Sequence, residues 1–143
     1  MRILGEWLLC TDGITRPFVR VQVPAVHGNL VSDTFLVDTG ADRTVFTAAF
    51  LQALQIAVTP VTGFNLTGIG GSSGFVEFGT YLDLPRADGG YIRVHGRFCG
   101  FSTANALDMN LLGREVLNIF DVITSRPRNA VLLLAPPTQY QVV

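Results

Sequence analysis

The residues with the most chemistry to offer stand together in Phe35-Leu36-Val37-Asp38-Thr39-Gly40-Ala41-Asp42. An apolar run there ends in an acid, a small hydroxyl residue and a glycine. The run reads as a buried strand, which delivers the Asp38 carboxylate from the core onto a tight turn. Burying a carboxylate is costly unless it is paired or put to use. Asp38 is therefore either an acid that caps its own turn or a functional group. Two later stretches share its idiom. Asn65-Leu66-Thr67-Gly68-Ile69-Gly70-Gly71-Ser72-Ser73-Gly74 is a glycine-rich tip, and Leu111-Leu112-Gly113-Arg114 again ends an apolar pair at a glycine.

Other reactive residues read as structural. Cys10 and Cys99 are too few for a disulfide scaffold or a zinc site and read as ordinary buried thiols. Cys99 has no His or Asn nearby in sequence to activate it. His27 and His95 fall in turn and strand contexts that suit surface or packing roles, and no metal site is expected. Glu77 and Asp83 read as solvated strand residues. The glycine-rich tip lacks the lysine and the Gly-Lys-Ser/Thr ending of a phosphate-binding loop, so nucleotide binding is not expected.

The elements that must position these residues are mostly strands. Ile3 to Leu9 is an apolar segment, an edge strand or association surface, and Thr11-Asp12-Gly13 turns the chain. From Phe18 the pattern alternates, with Val19, Val21 and Val23 on one side and Phe18, Arg20 and Gln22 on the other, as in a half-buried strand. His27-Gly28-Asn29 turns it back through Leu30 to Val37. Thr47 is placed to cap a helix with Phe50, Leu51 and Leu54 at helical spacing, ended by Val58-Thr59-Pro60. Phe75 to Leu82 and Tyr91 to Cys99 read as strands around the turn Leu84 to Gly90. A short helix from Arg114 to about Asn118 precedes strands at Phe120 to Ser125 and Ala130 to Leu134. Pro136-Pro137 breaks the pattern before the tail. Two β-rich halves, each closing with an apolar strand, a glycine turn and a helix, suggest an internal duplication.

Composition sets the bounds. The 143 residues suit one domain spanning 1–143, with a substantial core. A hydrophobic content of 48% against 15% charged argues against disorder. The 15 glycines and seven prolines suit a turn-rich all-β protein. A net charge of −1 gives no electrostatic reason to expect nucleic acid. No apolar run is long enough to span a bilayer. Met1 to Cys10, with one arginine and an early Glu6, makes a poor signal peptide, which argues for the cytoplasm.

Asp38-Thr39-Gly40-Ala41-Asp42, the glycine-rich Thr67-Gly68-Ile69-Gly70-Gly71 and Leu111-Leu112-Gly113-Arg114 occur in that order. Together they resemble the retropepsin-like aspartic proteases, over roughly residues 18 to 134. The helix after Phe46 is closer to cellular and bacterial members than to viral ones, and the termini do not match the interleaved terminal strands of viral dimers. The resemblance implies an all-β, pepsin-like closed barrel with one or two short helices. It implies Asp38 as the catalytic aspartate and Thr39 as the hydroxyl that ties two active-site loops together. Gly40 would offer its carbonyl to substrate, with Ala41 completing the loop. Asp42 and Arg114 would form a partly buried ion pair beneath the site, and Gly68, Ile69, Gly70 and Gly71 a flap over substrate.

This mechanism needs two carboxylates that share a proton, one to draw a proton from water and one to donate to the scissile carbonyl. Asp-Thr-Gly occurs once, so the second carboxylate must come from a second copy, which makes a homodimer with Asp38 at its two-fold axis. The expected substrate is a peptide or protein, bound in an apolar groove lined by residues such as Val45, Ile69 and Phe75. No cofactor is required. The rival reading is a catalytically silent dimerisation or peptide-binding module on the same fold.

Overall fold

The computed structural model of the chain describes residues 1–68, 71–103 and 109–136. Its strands and helices run in the order β1 (Arg2–Leu4), β2 (Glu6–Leu9), β3 (Thr15–Pro24), β4 (Leu30–Val37), β5 (Val45–Phe46), α1 (Ala48–Leu54), β6 (Thr59–Gly68), β7 (Gly71–Pro85), β8 (Tyr91–Phe101), β9 (Asn110–Leu112), α2 (Arg114–Leu117), β10 (Asp121–Ser125) and β11 (Ala130–Leu134). No helix among the described residues is long and apolar enough to cross a membrane.

The expected closed barrel is present. β3, β4, β9, β5, β8 and β7 pair in that order, and β7 returns to β3 where Asp83 stands opposite Gln22. β2 extends the sheet beyond β3, and β6 extends it beyond β7. A separate three-stranded sheet in the order β1-β11-β10 holds the first and last strands. The apolar segment Ile3 to Leu9 is thus two strands and not one. It breaks at Gly5, where a side-chain carbon would stand 2.3 Å from the Phe18 carbonyl oxygen. Only glycine lets the backbone pass there.

Alternation explains the core. Val19, Val21 and Val23 are buried on one face of β3, beside Phe35 of β4. Phe35 meets Phe46 edge to face at 5.2 Å, and Phe46 meets Phe78 at 4.8 Å, the preferred geometry for aromatic quadrupoles. Thr47 caps α1 as expected, accepting from the Phe50 amide at 3.1 Å, and α1 buries Phe50 and Leu54. The helix stops at a left-handed Gln55, φ 54°, ahead of the expected Val58-Thr59-Pro60. Thr59 and Pro60 instead open β6, whose place at the edge of its sheet tolerates a residue without an amide hydrogen.

The opposite face carries a second apolar cluster of Phe18, Leu36, Val45, Cys99, Phe101 and Leu111. Cys99 is fully buried as expected, and Cys10 is half-buried at its margin. Burial pushes the Cys99 thiol up from 9.0 to about 11. Two outcomes follow. Native protein at pH 8 is expected to release thiol-reagent colour from Cys10 alone, with Cys99 reacting only after denaturation. The folded pKa lies above the unfolded one, so the Cys99 contribution to stability is complete below about pH 9 and is lost as pH rises through about 11. Unfolding curves of wild type and Cys99→Ala should therefore converge in slope only below that window.

Asp83 corrects the sequence expectation. It is 1% exposed, not solvated, because the seam between β7 and β3 covers it. Arg93 donates to both its oxygens at 2.8 Å, and the Arg93 head lies 3.9 Å over the Tyr81 ring. Glu77 is half-buried, with Arg43 at 3.7 Å and Arg97 at 3.8 Å. His27 and His95 are exposed, in line with surface roles.

Candidate active site

The two apolar pairs that end at glycine turns lie side by side. β4 and β9 run parallel, with Phe35 opposite Asn110, Leu36 opposite Leu111 and Val37 opposite Leu112. Val37 and Leu112 are buried, and their strands deliver Asp38 and Gly113 to the same end of the sheet. The Asp38 amide donates to the Leu112 carbonyl at 3.2 Å. The chain then turns tightly. Ala41 donates its amide to the Asp38 carbonyl at 3.2 Å, and Gly40 donates its amide to Asp38 Oδ1 at 3.0 Å. Asp38 is half-buried, while Thr39 and Gly40 are exposed. Among the described residues, Asp38 does not line the hollows of about 300 to 450 Å³ beside β1, β2, α1 and the β7–β8 turn.

The exit of the turn is held from below. Gly113 fits against the backbone of Arg43, where a side-chain carbon would stand 2.3 Å from the carbonyl oxygen. Its amide donates to Thr44 Oγ1 at 3.0 Å, and Thr44 is fully buried. The Arg114 amide donates to the Ala41 carbonyl at 2.8 Å and the Glu115 amide to the Asp42 carbonyl at 3.3 Å. Glu115 then reaches back: Oε1 accepts from the Thr44 amide at 2.6 Å, and Oε2 from Arg43 Nε at 3.1 Å. Under β9, the buried Asn110 accepts from the Thr47 amide at 2.9 Å and donates to Asp33 Oδ2 at 3.0 Å and the Thr34 carbonyl at 3.2 Å. Buried polar groups satisfied in this way fix one loop geometry.

Asp42 and Arg114 pair through their side chains, as expected. The pair is not partly buried, however. Its side chains are 79% and 50% exposed. An exposed pair of this kind contributes at most about 1 kcal/mol. The brace beneath the turn is instead Thr44, Glu115 and Asn110, which sequence reasoning did not single out. The glutamate next to Arg114 was the available signal, but its partners lie more than 70 positions away, as the 71-residue separation from Thr44 shows.

The glycine-rich tip belongs to the antiparallel hairpin of β6 and β7, with Gly68 opposite Gly71 and a register shift between Val61 and Asn65. Ile69 and Gly70 lie outside the described residues. Of the expected groove residues, Val45 and the half-buried Phe75 join the second apolar cluster on the face beside Leu36 and Leu111. Among the described residues, no three His, Cys, Asp or Glu side chains gather to hold a metal ion.

No family model and no curated protein matches the sequence. Solved structures do. A retropepsin-like aspartic protease from Rickettsia conorii aligns with 93% of this chain and 98% of its own at 18% identity, with a TM-score of 0.61. EIAV protease, in a complex with the inhibitor HBY-793, aligns with 72% of this chain and 86% of its own at 22% identity, with a TM-score of 0.49. The closed barrel, the parallel β4–β9 pair that ends in two glycine turns, and the near-complete alignment with the Rickettsia conorii structure give this chain the all-β retropepsin-like aspartic protease fold.

Proposed function

We propose that the chain is an aspartic endopeptidase that works as a homodimer, with one Asp38 from each copy. The observation that carries this reading is the state of the acids around the turn. Asp42 is taken by Arg114, and Glu115 by Thr44 and Arg43. Asp38 is half-buried, and its Oδ1 accepts from the Gly40 amide. A second carboxylate that shares its proton therefore comes from a second chain.

Two carboxylates in contact cannot both ionise, so the pair holds one proton between them. The ionised member takes a proton from water, which attacks the scissile carbonyl carbon. The protonated member donates to the carbonyl oxygen, and collapse of the tetrahedral intermediate releases the amine as it takes up a proton. Thr39 ties the two turns, Gly40 offers its carbonyl to the substrate backbone, and Ala41, Asp42 and Arg114 support the loop. The β6–β7 hairpin, with Gly68, Ile69, Gly70 and Gly71, acts as a flap that adds a strand to an extended peptide. Phe75, half-buried at the margin of the second apolar cluster, favours hydrophobic side chains beside the cut, whereas Val45 is buried inside that cluster and does not line a groove. No cofactor enters the chemistry.

The test compares wild type and Asp38→Ala on a peptide library at acidic and neutral pH, with and without a pepstatin-type inhibitor. Wild type is expected to cut best at mildly acidic pH, with activity per chain rising with protein concentration. Asp38→Ala is expected to fall to background. Cleavage that persists in Asp38→Ala sinks the mechanism. A verified wild-type dimer that binds peptide without cutting it favours the silent binding module.

A further inference from the structure

Most acids of this chain have a cation beside them. Among the described acids, all but Asp33, Asp38 and Asp121 stand within 3.8 Å of an arginine. Asp121 is exposed, while Asp33 and Asp38 are half-buried. Asp38 has a part in the proposed chemistry, and Asp33 has none. Asp33 Oδ1 accepts from the Thr34 amide at 2.8 Å, and Oδ2 accepts from Asn110 Nδ2 at 3.0 Å. These bonds fix the carboxylate in one orientation and leave each oxygen a further lone pair. Neither supplies a positive charge, so the cost of desolvating the acid is only partly offset.

Asp33 lines a hollow of about 300 Å³ between β2, β4 and the start of β9. One side of it is apolar. Leu8 and Met109 line it there and pack on the second apolar cluster, to which Phe18 belongs. The other side is polar and fixed. Thr47 and Asn110 line it at 8% and 2% exposure, and Asn110 ties Asp33 to the Thr47 amide. Arg16 interacts with Cys10 on the rim, but its guanidinium is taken by both oxygens of Asp12, at 2.9 and 2.6 Å. The hollow therefore holds an oriented carboxylate beside an apolar wall, with no cation of the chain to meet it.

A positive head on an aliphatic stem satisfies both sides at once. The methylene groups of a long basic side chain bury against apolar walls while the head keeps polar company. A guanidinium offers paired N–H donors to the two oxygens of a carboxylate, and charge-assisted bonds of this kind are about twice as strong as neutral ones. The volume is at the lower limit for a site that encloses a whole small molecule and suits a single side chain. We propose that the Asp33 hollow is a binding site for an arginine side chain carried by a peptide or protein partner. The site stands whether or not the chain cuts peptides.

NMR titration of the isotope-labelled chain tests it, with an end-blocked Gly-Arg-Gly peptide and with the same peptide carrying citrulline, which keeps the shape and lacks the charge. Shifts are expected at Thr34, Thr47 and Asn110, with the arginine peptide bound about tenfold or more tighter than the citrulline peptide. Asp33→Asn should abolish that preference. Thr11→Arg sets a competing cation on the exposed rim of the hollow and should weaken the arginine peptide to a similar degree. Asp121→Asn, an exposed acid elsewhere, should match wild type. Circular dichroism confirms the fold of each, and if Asp33→Asn does not fold, Thr11→Arg and the citrulline peptide decide. Equal binding of the two peptides, or wild-type binding by Thr11→Arg, overturns the site. So does the absence of any shift, and so do shifts confined to Thr39 and Gly40, which would put the peptide at the Asp38 turn. Spermidine that binds more tightly than the arginine peptide gives the hollow to a free polyamine and overturns the partner side chain.

Discussion

Gly113→Ala is expected to destabilise the fold by about 3 kcal/mol or more and to lower the thermal midpoint by roughly 10 °C. The added methyl carbon would stand 2.3 Å from the Arg43 carbonyl oxygen and 2.4 Å from the Arg43 carbonyl carbon. These are backbone atoms, and no rotamer relieves the clash. Arg43 cannot retreat without breaking the bonds from Glu115 to Thr44 and to its own side chain. Gly100→Ala is the informative comparison. Its nearest neighbour, at 2.2 Å, is the Leu51 Cδ1 methyl, the far end of a side chain that can rotate, so the loss should be smaller. Gly79→Ala meets its first atom only at 4.0 Å and should be close to neutral. Thermal unfolding of the three variants checks the order. Equal midpoints for Gly113→Ala and Gly79→Ala would show that the turn yields where the geometry says it cannot.

Arg93→Ala is expected to be the more damaging half of an unequal pair. It strands the Asp83 carboxylate at the seam that closes the barrel, at 1% exposure and with Gln22 opposite. An unpaired carboxylate in such a place costs about 3 kcal/mol. The reverse change, Asp83→Asn, leaves an Arg93 head that is about a third exposed and lies over the Tyr81 ring, so water and the ring can both receive it. Chemical denaturation of both single variants and the double variant gives the answer directly. The double variant should recover much of the Arg93→Ala loss, because the stranded charge is gone. A double variant that is less stable than Arg93→Ala alone would show that the pair itself, and not the stranding, carries the stability.

Local chemistry explains what could be read in advance and what could not. The β3 alternation, the Thr47 cap and the apolar run into Asp38 are each decided within a few residues. Sequence therefore located them, together with the echo of Leu36-Val37 in Leu111-Leu112 that becomes the parallel pair. Asp83 misled because alternation assumes that one strand face meets water. Leu82 and Leu84 beside it are also fully buried, since the return of β7 to β3 covers both faces there. The Asp42–Arg114 pairing was legible from the family resemblance, but its exposure depends on what the rest of the fold packs around it. Thr44, Glu115 and Asn110 escaped notice because a threonine, a glutamate and an asparagine gain meaning only from partners that distant strands bring.

The parallel pairing of β4 with β9 also sets a clock. Phe35 and its partner Asn110 are separated by 110 − 35 = 75 positions, and the separate sheet joins Arg2 to Leu134. Contacts of such long sequence span are slow to form, because the chain loses the entropy of closing a wide loop before the pairing rewards it. During synthesis, the strand bearing Asp38 emerges well before the one that shapes its turn. A nascent chain that has passed Gly40 but not Leu112 carries the acid without the geometry, so the competent turn forms late, after the greater part of the chain has been made.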